Sequence, residues 1–131
     1  MGTIIVADDD PLVRRTICDI LTAKGAKVLE AADGEEAMRL ALTGTPDILL
    51  IDLVMPKMDG LETIKRLRAE RPALKIIALS GGGRNRYLDI LDLADRLGAN
   101  AVLAKPFAPK QLLALIAQQL ASDTTWAVDA S

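Results

Sequence analysis

The sequence predicts an α/β domain in which five β-strands alternate with five α-helices around a doubly wound parallel sheet. Short apolar runs of strand length are separated by longer stretches of helical period. The three runs that contain IIVA, ILLI and IIAL are continuously apolar over those four residues, as strands covered on both faces are. The 131 residues, 50% of them hydrophobic, suffice for one domain with its own core. We expect that domain over residues 1–121 and a loose tail over residues 122–131.

The predicted elements alternate strictly along the chain. The strands are Thr3–Ala7, Lys27–Ala31, Ile48–Ile51, Lys75–Leu79 and Ala101–Ala104. The helices run from Pro11 to near Gly25, from Asp33 to near Gly44, from Asp59 to Pro72, over about residues 85–97, and from about Pro109 to Ala121. In each helix apolar residues recur at helical spacing.

Local signals set several of these boundaries. Asp10 stands before Pro11 and is predicted to cap the first helix, whose first position tolerates a residue without an N–H group. Asp33 and Asp59 are predicted to cap the second and third helices. The second strand, KVLEA, alternates as an edge strand with one wet face would.

Composition excludes several classes of function. The net charge of −2 provides no basic surface for nucleic acid, so we expect no direct DNA binding. The single cysteine, Cys18, excludes an internal disulfide, and the lack of histidine also excludes common zinc sites. No signal peptide and no membrane-spanning apolar stretch is present, so we expect a cytoplasmic protein without membrane insertion.

The residues at the carboxyl ends of the predicted strands are polar or charged, and ligands bind at those ends in parallel α/β sheets. They are Asp8 and Asp9 after the first strand, Asp52 after the third, Ser80 after the fourth and Lys105 after the fifth. Taken singly, Ser80 fits an ordinary turn and Lys105 an ordinary surface lysine. Because all five fall on one edge of the sheet, we expect them to form one site.

This set of groups suits phosphoryl transfer. Three neighbouring carboxylates repel one another, and hard oxygen ligands without histidine or thiol favour Mg²⁺, which readily shares its shell with phosphate. Lys105 and Ser80 offer a cation and a hydrogen-bond donor for phosphoryl oxygens. Asp52 is the expected nucleophile and would form an aspartyl phosphate.

Four motifs, ADDDP, DLVMPKMDG, ALSGGG and LAKPF, resemble those of response-regulator receiver domains in the same order. The resemblance extends from about Thr3 to Ala121 and implies a CheY-like (βα)₅ fold with strand order 2-1-3-4-5. It further implies that Asp8 and Asp9 form an acid pair and that Asp52 accepts the phosphoryl group. Mg²⁺, with Mn²⁺ as a substitute, would be held by Asp9, Asp52 and the backbone carbonyl of Val54, with Asp8 acting through water.

The resemblance assigns the remaining groups as well. Ser80 matches the switch hydroxyl and Lys105 the lysine that holds the phosphoryl group, with a cis peptide expected before Pro106. The phosphoryl donor would be a phosphohistidine on a sensor histidine kinase or a histidine phosphotransfer protein. We expect a single-domain regulator, monomeric or weakly dimeric on phosphorylation, that signals by protein–protein contact or onward phosphotransfer.

Three positions depart from the best-known pattern of this family. Val102 stands where the switch aromatic is usual, so we hypothesise that rearrangement of Ser80–Arg86, with movement of Tyr87, transmits the signal. Phosphorylation-dependent partner binding that survives Tyr87→Ala would rule this out. Neither Val54 nor Gly82 can orient a water, so we expect slow self-dephosphorylation, which a phosphoryl lifetime as short as that of Val54→Asn would contradict.

Other functions remain as alternatives. A haloacid-dehalogenase-like phosphohydrolase also uses an aspartyl phosphate, and Asp8-x-Asp10 faintly resembles its DxD motif, although Pro11-Leu12 departs from the residues that usually follow. A flavodoxin-like flavin or nucleotide binder would need a phosphate loop in the position of the three aspartates. A pseudo-receiver that signals without phosphorylation is the third alternative.

Overall fold

The computed structural model describes residues 2–53, 60–81, 96 and 98–121. One parallel sheet has the order β2-β1-β3-β4-β5. Its strands are β1 (Thr3–Ala7), β2 (Lys27–Ala31), β3 (Ile48–Asp52), β4 (Lys75–Ser80) and β5 (Ala101–Ala104). The predicted fold class and strand order are therefore confirmed, and β3 and β4 each include the polar residue that comes after the predicted strand.

Four helices lie within the described residues, and none has the length and apolarity that a bilayer crossing requires. They are α1 (Pro11–Ala23), α2 (Gly34–Thr43), α3 (Gly60–Glu70) and α4 (Pro109–Leu120). The helix predicted over about residues 85–97 lies outside the described residues, except for Arg96, which is helical. The predicted tail and the predicted cap Asp59 lie outside them as well.

Side-chain caps fix the starts of the first two helices. Oδ1 of Asp10 accepts hydrogen bonds from the backbone N of Leu12 at 2.9 Å and of Val13 at 3.4 Å. Oδ1 of Asp33 accepts one from the N of Glu36 at 2.9 Å. Each carboxylate pairs with amides that have no partner inside the helix and lies at the positive end of the helix dipole. Both predicted caps are confirmed.

Each face of the sheet contributes to a separate hydrophobic layer, because successive side chains of a strand point to opposite faces. One layer packs strand residues such as Leu49 and Ile76 against α2 and α3, and the other packs Leu50 and Ile77 against α1 and α4. Residues of β1, β3 and β4 are almost all buried. Full burial of each Ile or Leu contributes about 1.5–3 kcal/mol, so the sheet centre is a stable platform for the polar residues at the ends of its strands.

The edge strand β2 differs from its prediction. Val28 packs on one hydrophobic layer and Leu29 on the other, so the expected single wet face is wrong. The reason is that α1 and α2 flank β2 on both sides, and each helix leaves apolar surface for one of these residues. Cys18 of α1 is buried in the same region, and burial raises the pKa of its thiol to about 11, as fits a packing residue.

Arg68 of α3 forms hydrogen bonds with both chain segments that lead into β4 and β5. Its Nη1 donates to the carbonyl oxygens of Pro72 and Leu74, both at 2.8 Å. Its Nε donates to the carbonyl of Gly98 at 2.9 Å, and its Nη2 to Oδ1 of Asn100 at 2.7 Å. Gly98 has a φ of +109°, and a Cβ there would lie 2.7 Å from Cγ of Arg68, so glycine is required on both grounds.

Candidate functional site

Three carboxylates meet where β1 and β3 end. The two strands are neighbours, with Ala7 of β1 in register with Ile51 of β3, so the next residues of both strands are brought side by side. One carboxylate oxygen from each of Asp8, Asp9 and Asp52 lies within 4.8 Å of the other two. Asp8 is fully buried, Asp52 is 8% exposed and Asp9 is exposed, so the group opens to solvent on one side only.

Lys105, which follows the edge strand β5, also contributes to this cluster. It comes directly after β5, and its backbone N donates to the carbonyl of Ser80 at 2.7 Å, which extends the ladder with β4 by one step. Its Nζ lies 2.7 Å from Oδ2 of Asp8 and 3.0 Å from Oδ2 of Asp52. The peptide bond between Lys105 and Pro106 is cis, as the sequence resemblance implied.

The charge state of Lys105 is set by these contacts. Burial acts to lower the pKa of its ammonium, but the hydrogen bonds to Asp8 and Asp52 and the charges of the two carboxylates outweigh burial, so the pKa is raised above its ordinary value of 10.5. The ammonium is therefore fully protonated at neutral pH. It contacts two of the three acidic side chains, Asp8 and Asp52.

Ser80 is the last residue of β4 and directly follows Leu79, which is in register with Asp52. The residue is 2% exposed, and its Oγ makes no hydrogen bond to any described residue. An unsatisfied buried hydroxyl costs about 1–3 kcal/mol, so a hydrogen-bonding group brought next to Ser80 Oγ would relieve this cost. It lies at the same sheet edge as the acidic cluster.

Asp8 is held through its backbone and its side chain alike. Its N donates to the carbonyl of Ala31 at 3.1 Å, and its Oδ1 accepts from the N of Asp10 at 2.9 Å. Its carbonyl oxygen accepts from Nη1 of Arg14 at 2.7 Å. Sequence reasoning did not identify Arg14, because no local pattern indicates that an arginine of α1 reaches back to the strand end before it.

Gly60 is a second residue that sequence reasoning did not single out. It starts α3 directly against the end of β3, and its N donates to the carbonyl of Leu53 at 3.2 Å. A Cβ at this position would collide with the carbonyl oxygen of Asp52 and would lie 2.5 Å from Cα of Leu53. The Asp-Gly pair at the end of the motif DLVMPKMDG could have indicated this position, because glycine allows two backbone segments to approach closely.

The three departures from the family pattern are only partly described. Val102 lies in β5 in register with Ala78, and its half-buried side chain packs on the layer that faces α2 and α3. Val54, Gly82 and Tyr87 lie outside the described residues. The roles suggested for them therefore stay predictions.

An apolar groove of about 570 Å³ runs beside the cluster, between α1 and the segment after β5. Its lining includes Leu12 and Ile20 of α1 together with Lys105, Pro106 and Phe107. Leu12 is 75% exposed and is the one large hydrophobic side chain so exposed in the described part of the chain. The groove shares Lys105 with the acidic cluster, so the two features are continuous.

Comparison with known proteins gives a consistent assignment. The family model of the response regulator receiver domain matches residues 4–117. The alkaline phosphatase synthesis transcriptional regulatory protein PhoP of Bacillus subtilis is 34% identical over 113 residues, which cover 86% of this chain and 46% of PhoP. The probable transcriptional regulator ycf27 of Porphyridium aerugineum is 38% identical over 120 residues, covering 86% of this chain and 45% of that protein. The chain thus spans about half the length of these relatives.

Solved structures agree with the family model. The receiver domain of AraT, a response regulator from Geobacillus stearothermophilus, is 32% identical with a TM-score of 0.81, covering 94% of this chain and 95% of that one. A CheY-like receiver domain protein from Methanospirillum hungatei is 27% identical with a TM-score of 0.87, covering 95% and 97%. The chain therefore belongs to the response regulator receiver domain family of two-component systems.

Proposed function

We propose that this chain accepts a phosphoryl group on Asp52 from a phosphohistidine of a histidine kinase or a histidine phosphotransfer protein. The observation that supports this most directly is the position of the Asp52 carboxylate. It lies 3.0 Å from the ammonium of Lys105 and within 4.8 Å of two further carboxylates. The carboxylate that we propose as nucleophile, an ammonium and acidic side chains that suit a divalent cation therefore lie at the same edge of the sheet.

The acidic cluster fits a small divalent cation. Two of the three carboxylates, Asp8 and Asp52, contact the ammonium of Lys105, whereas Asp9 is exposed and pairs with no cation in the described part of the chain. We propose that Asp9, Asp52 and the backbone carbonyl of Val54 hold Mg²⁺ or Mn²⁺, with Asp8 acting through water. Bound there, the ion would neutralise negative charge on the carboxylates and on the incoming phosphoryl group.

The chain's own residues would perform the transfer in a single displacement. A carboxylate oxygen of Asp52 forms a bond to phosphorus while the bond between phosphorus and the donor imidazole nitrogen breaks. The electron pair of the broken bond stays with the imidazole, which takes up one proton from solvent. Lys105, which already contacts Asp52, moves its charge to a phosphoryl oxygen and stabilises the product, an aspartyl phosphate.

Ser80 would couple phosphorylation of Asp52 to a change in the neighbouring chain. Its hydroxyl lacks a partner in the described residues and would donate to a phosphoryl oxygen of phosphorylated Asp52. Since Val102 is not aromatic, the signal would leave through the chain after Ser80, including Tyr87. Output would be a phosphorylation-dependent contact with another protein, with weak dimerisation as one form of it, or transfer of the phosphoryl group to a further histidine.

The apolar groove beside Lys105 is the proposed docking surface for the phosphohistidine-bearing domain. A donor seated on Leu12, Ile20 and Phe107 would bring its histidine next to Lys105, which lines the groove and also contacts Asp52. The 75% exposure of Leu12 leaves apolar surface for such a partner. Slower transfer from a phosphotransfer protein to Leu12→Asp, with unchanged labelling by a small donor, is the expected result.

The test is intact-mass measurement after incubation with acetyl phosphate, with Mg²⁺ or with chelator. We expect a mass increase of one phosphoryl group that requires Mg²⁺, is lost in Asp52→Asn, and persists in Asp19→Asn, an exposed aspartate of α1. No adduct with any phosphoryl donor would contradict the proposal and favour a module that signals without phosphorylation. Steady turnover of small phosphate esters would instead favour a phosphohydrolase.

A further inference from the structure

Arg14 connects three elements beside the acidic cluster. It lies in the first turns of α1, and its Nη1 donates to the carbonyl oxygen of Asp8 at 2.7 Å. Its Nε donates to Oε1 of Glu30 in β2 at 3.0 Å. The Arg14 side chain is 18% exposed and that of Glu30 is 40% exposed, so the contact with the Asp8 carbonyl is the more buried of the two. A planar guanidinium with donors on two sides is suited to hold two oxygens at a fixed separation.

The carbonyl of Asp8 needs such a donor because regular sheet pairing stops there. β1 ends at Ala7, and the N of Asp8 still donates to the carbonyl of Ala31, the last residue of β2. Beyond Ala31 the chain turns into the cap of α2, and no described backbone N–H donates to the Asp8 carbonyl. Among the described residues, Arg14 is the donor that satisfies this carbonyl oxygen of a fully buried residue. Arg14 therefore replaces the missing step of the ladder.

The orientation of the Asp8 side chain depends on this backbone anchor. Oδ2 of Asp8 accepts from Nζ of Lys105 at 2.7 Å, and Oδ1 accepts from the N of Asp10 at 2.9 Å. If the carbonyl were released, the peptide plane after Asp8 could rotate, and this plane carries the N–H of Asp9 and leads into the cluster. Groups that orient metal ligands commonly alter metal affinity by about 10–100-fold when they are removed.

We propose that Arg14 is a positioning residue that holds the Asp8–Asp9 segment in the geometry that binds the divalent cation. This inference rests on the proposed function, because it concerns the same acidic cluster. Arg14 does not touch the reacting atoms. Its effect passes through the backbone of Asp8, with Glu30 fixing the plane of the guanidinium.

Whether loss of Arg14 weakens or tightens Mg²⁺ binding distinguishes a positioning role from an effect of its charge alone. Arg14 is a positive charge next to a cation site, so if charge were all that mattered, its removal would tighten Mg²⁺ binding. If Arg14 positions Asp8 and Asp9, its removal weakens Mg²⁺ binding although the local charge becomes more negative. The two explanations thus predict opposite changes in the dissociation constant.

The experiment measures Mg²⁺ binding to the unphosphorylated protein by isothermal titration calorimetry, together with the melting temperature in chelator. We expect Arg14→Met to raise the Mg²⁺ dissociation constant about tenfold. Arg14→Lys keeps the charge but reaches only one of the two oxygens, so its dissociation constant should lie between those of Arg14→Met and the wild type. The control is Arg15→Met, which removes the same charge from an exposed neighbour in α1 and should bind like the wild type.

Each outcome decides for or against the positioning role. Unchanged or tighter Mg²⁺ binding in Arg14→Met, or equal weakening in Arg15→Met, would overturn it while leaving the proposed function intact. A fall in melting temperature with unchanged Mg²⁺ affinity would show a structural role and overturn it as well. If Arg14→Met does not fold, Arg14→Lys decides instead. It keeps the charge, so a charge effect alone predicts unchanged Mg²⁺ binding, which would overturn the positioning role, whereas positioning predicts weaker binding. A wild-type protein that binds no Mg²⁺ and forms no adduct would overturn both proposals.

Discussion

Replacing Lys105 by methionine perturbs the centre of the site with little change in side-chain length. The substitution removes two charge-assisted hydrogen bonds, of 2.7 Å to Asp8 and 3.0 Å to Asp52, and leaves the carboxylates without their cation. Removing one partner of a buried ion pair costs about 3–5 kcal/mol. Because the Lys105 side chain is 21% exposed, solvent screens part of this loss, and we expect a fall of about 2–4 kcal/mol in the free energy of unfolding.

The assay is thermal and urea unfolding in Mg²⁺-free buffer. For a chain of this length the expected loss corresponds to a decrease in melting temperature of roughly 6–15 °C. The matched control is Lys110→Met, an exposed lysine of α4, which should change stability by less than about 0.5 kcal/mol. Added Mg²⁺ should restore part of the stability of Lys105→Met, because the ion binds the folded cluster and not the unfolded chain.

The pH dependence of stability provides a second comparison of the wild type with Lys105→Met. The pKa of Lys105 is raised above 10.5 in the folded state, so its contribution is fully present below about pH 10.5 and is lost as pH rises through the folded pKa. The wild type should therefore lose stability more steeply than Lys105→Met above pH 10.5 and should keep a constant advantage from neutral pH up to that point. A Lys105→Met protein as stable as the wild type without Mg²⁺ would contradict this role of the ammonium.

Three further variants probe the neighbouring contacts. Gly60→Ala should lower the free energy of unfolding in urea by about 1–3 kcal/mol and slow adduct formation, because the added methyl group meets the backbone of Asp52. The control is Gly44→Ala, whose Cβ would lie 3.3 Å from its nearest neighbour. An effect of Gly60→Ala as small as that of the control would contradict this expectation. Ser80→Ala should leave stability equal or higher, since it removes an unsatisfied hydroxyl, but slow adduct formation at least roughly tenfold; loss of stability would show that the hydroxyl has a partner. Arg68→Met should lower the free energy of unfolding by about 2–4 kcal/mol through its lost charged hydrogen bonds, and a loss no greater than the roughly 0.5 kcal/mol expected of the exposed Arg66→Met would argue against this role.

Local sequence signals were sufficient for the elements and for the main cluster. Apolar runs and helix caps such as Asp10 and Asp33 predicted four described helices and all five strands to within one or two residues. The cluster of Asp8, Asp52 and Lys105 was expected from one rule, that ligands gather at the carboxyl ends of parallel strands. The strand order itself came from the family resemblance, because apolar patterning does not say which strands are neighbours.

The contacts that the sequence did not reveal are long-range and have no local signature. Arg68 reaches Asn100 across 32 residues, and Arg14 reaches Glu30 across 16, so neither partner could be read from spacing along a helix or strand. The single wet face expected of β2 failed for a related reason. Whether an edge strand is covered depends on where the flanking helices pack, which alternation of residues alone does not determine.

The decisive experiment identifies the residue that carries the phosphoryl group. The phosphorylated protein would be treated with borohydride, which reduces an aspartyl phosphate to homoserine, and its peptides would be sequenced by mass spectrometry. We expect homoserine at position 52, in a Mg²⁺-dependent amount, with Asp8 and Asp9 unchanged. Homoserine at Asp8 or Asp9, or a stable phosphate on Ser80, would contradict phosphorylation of Asp52.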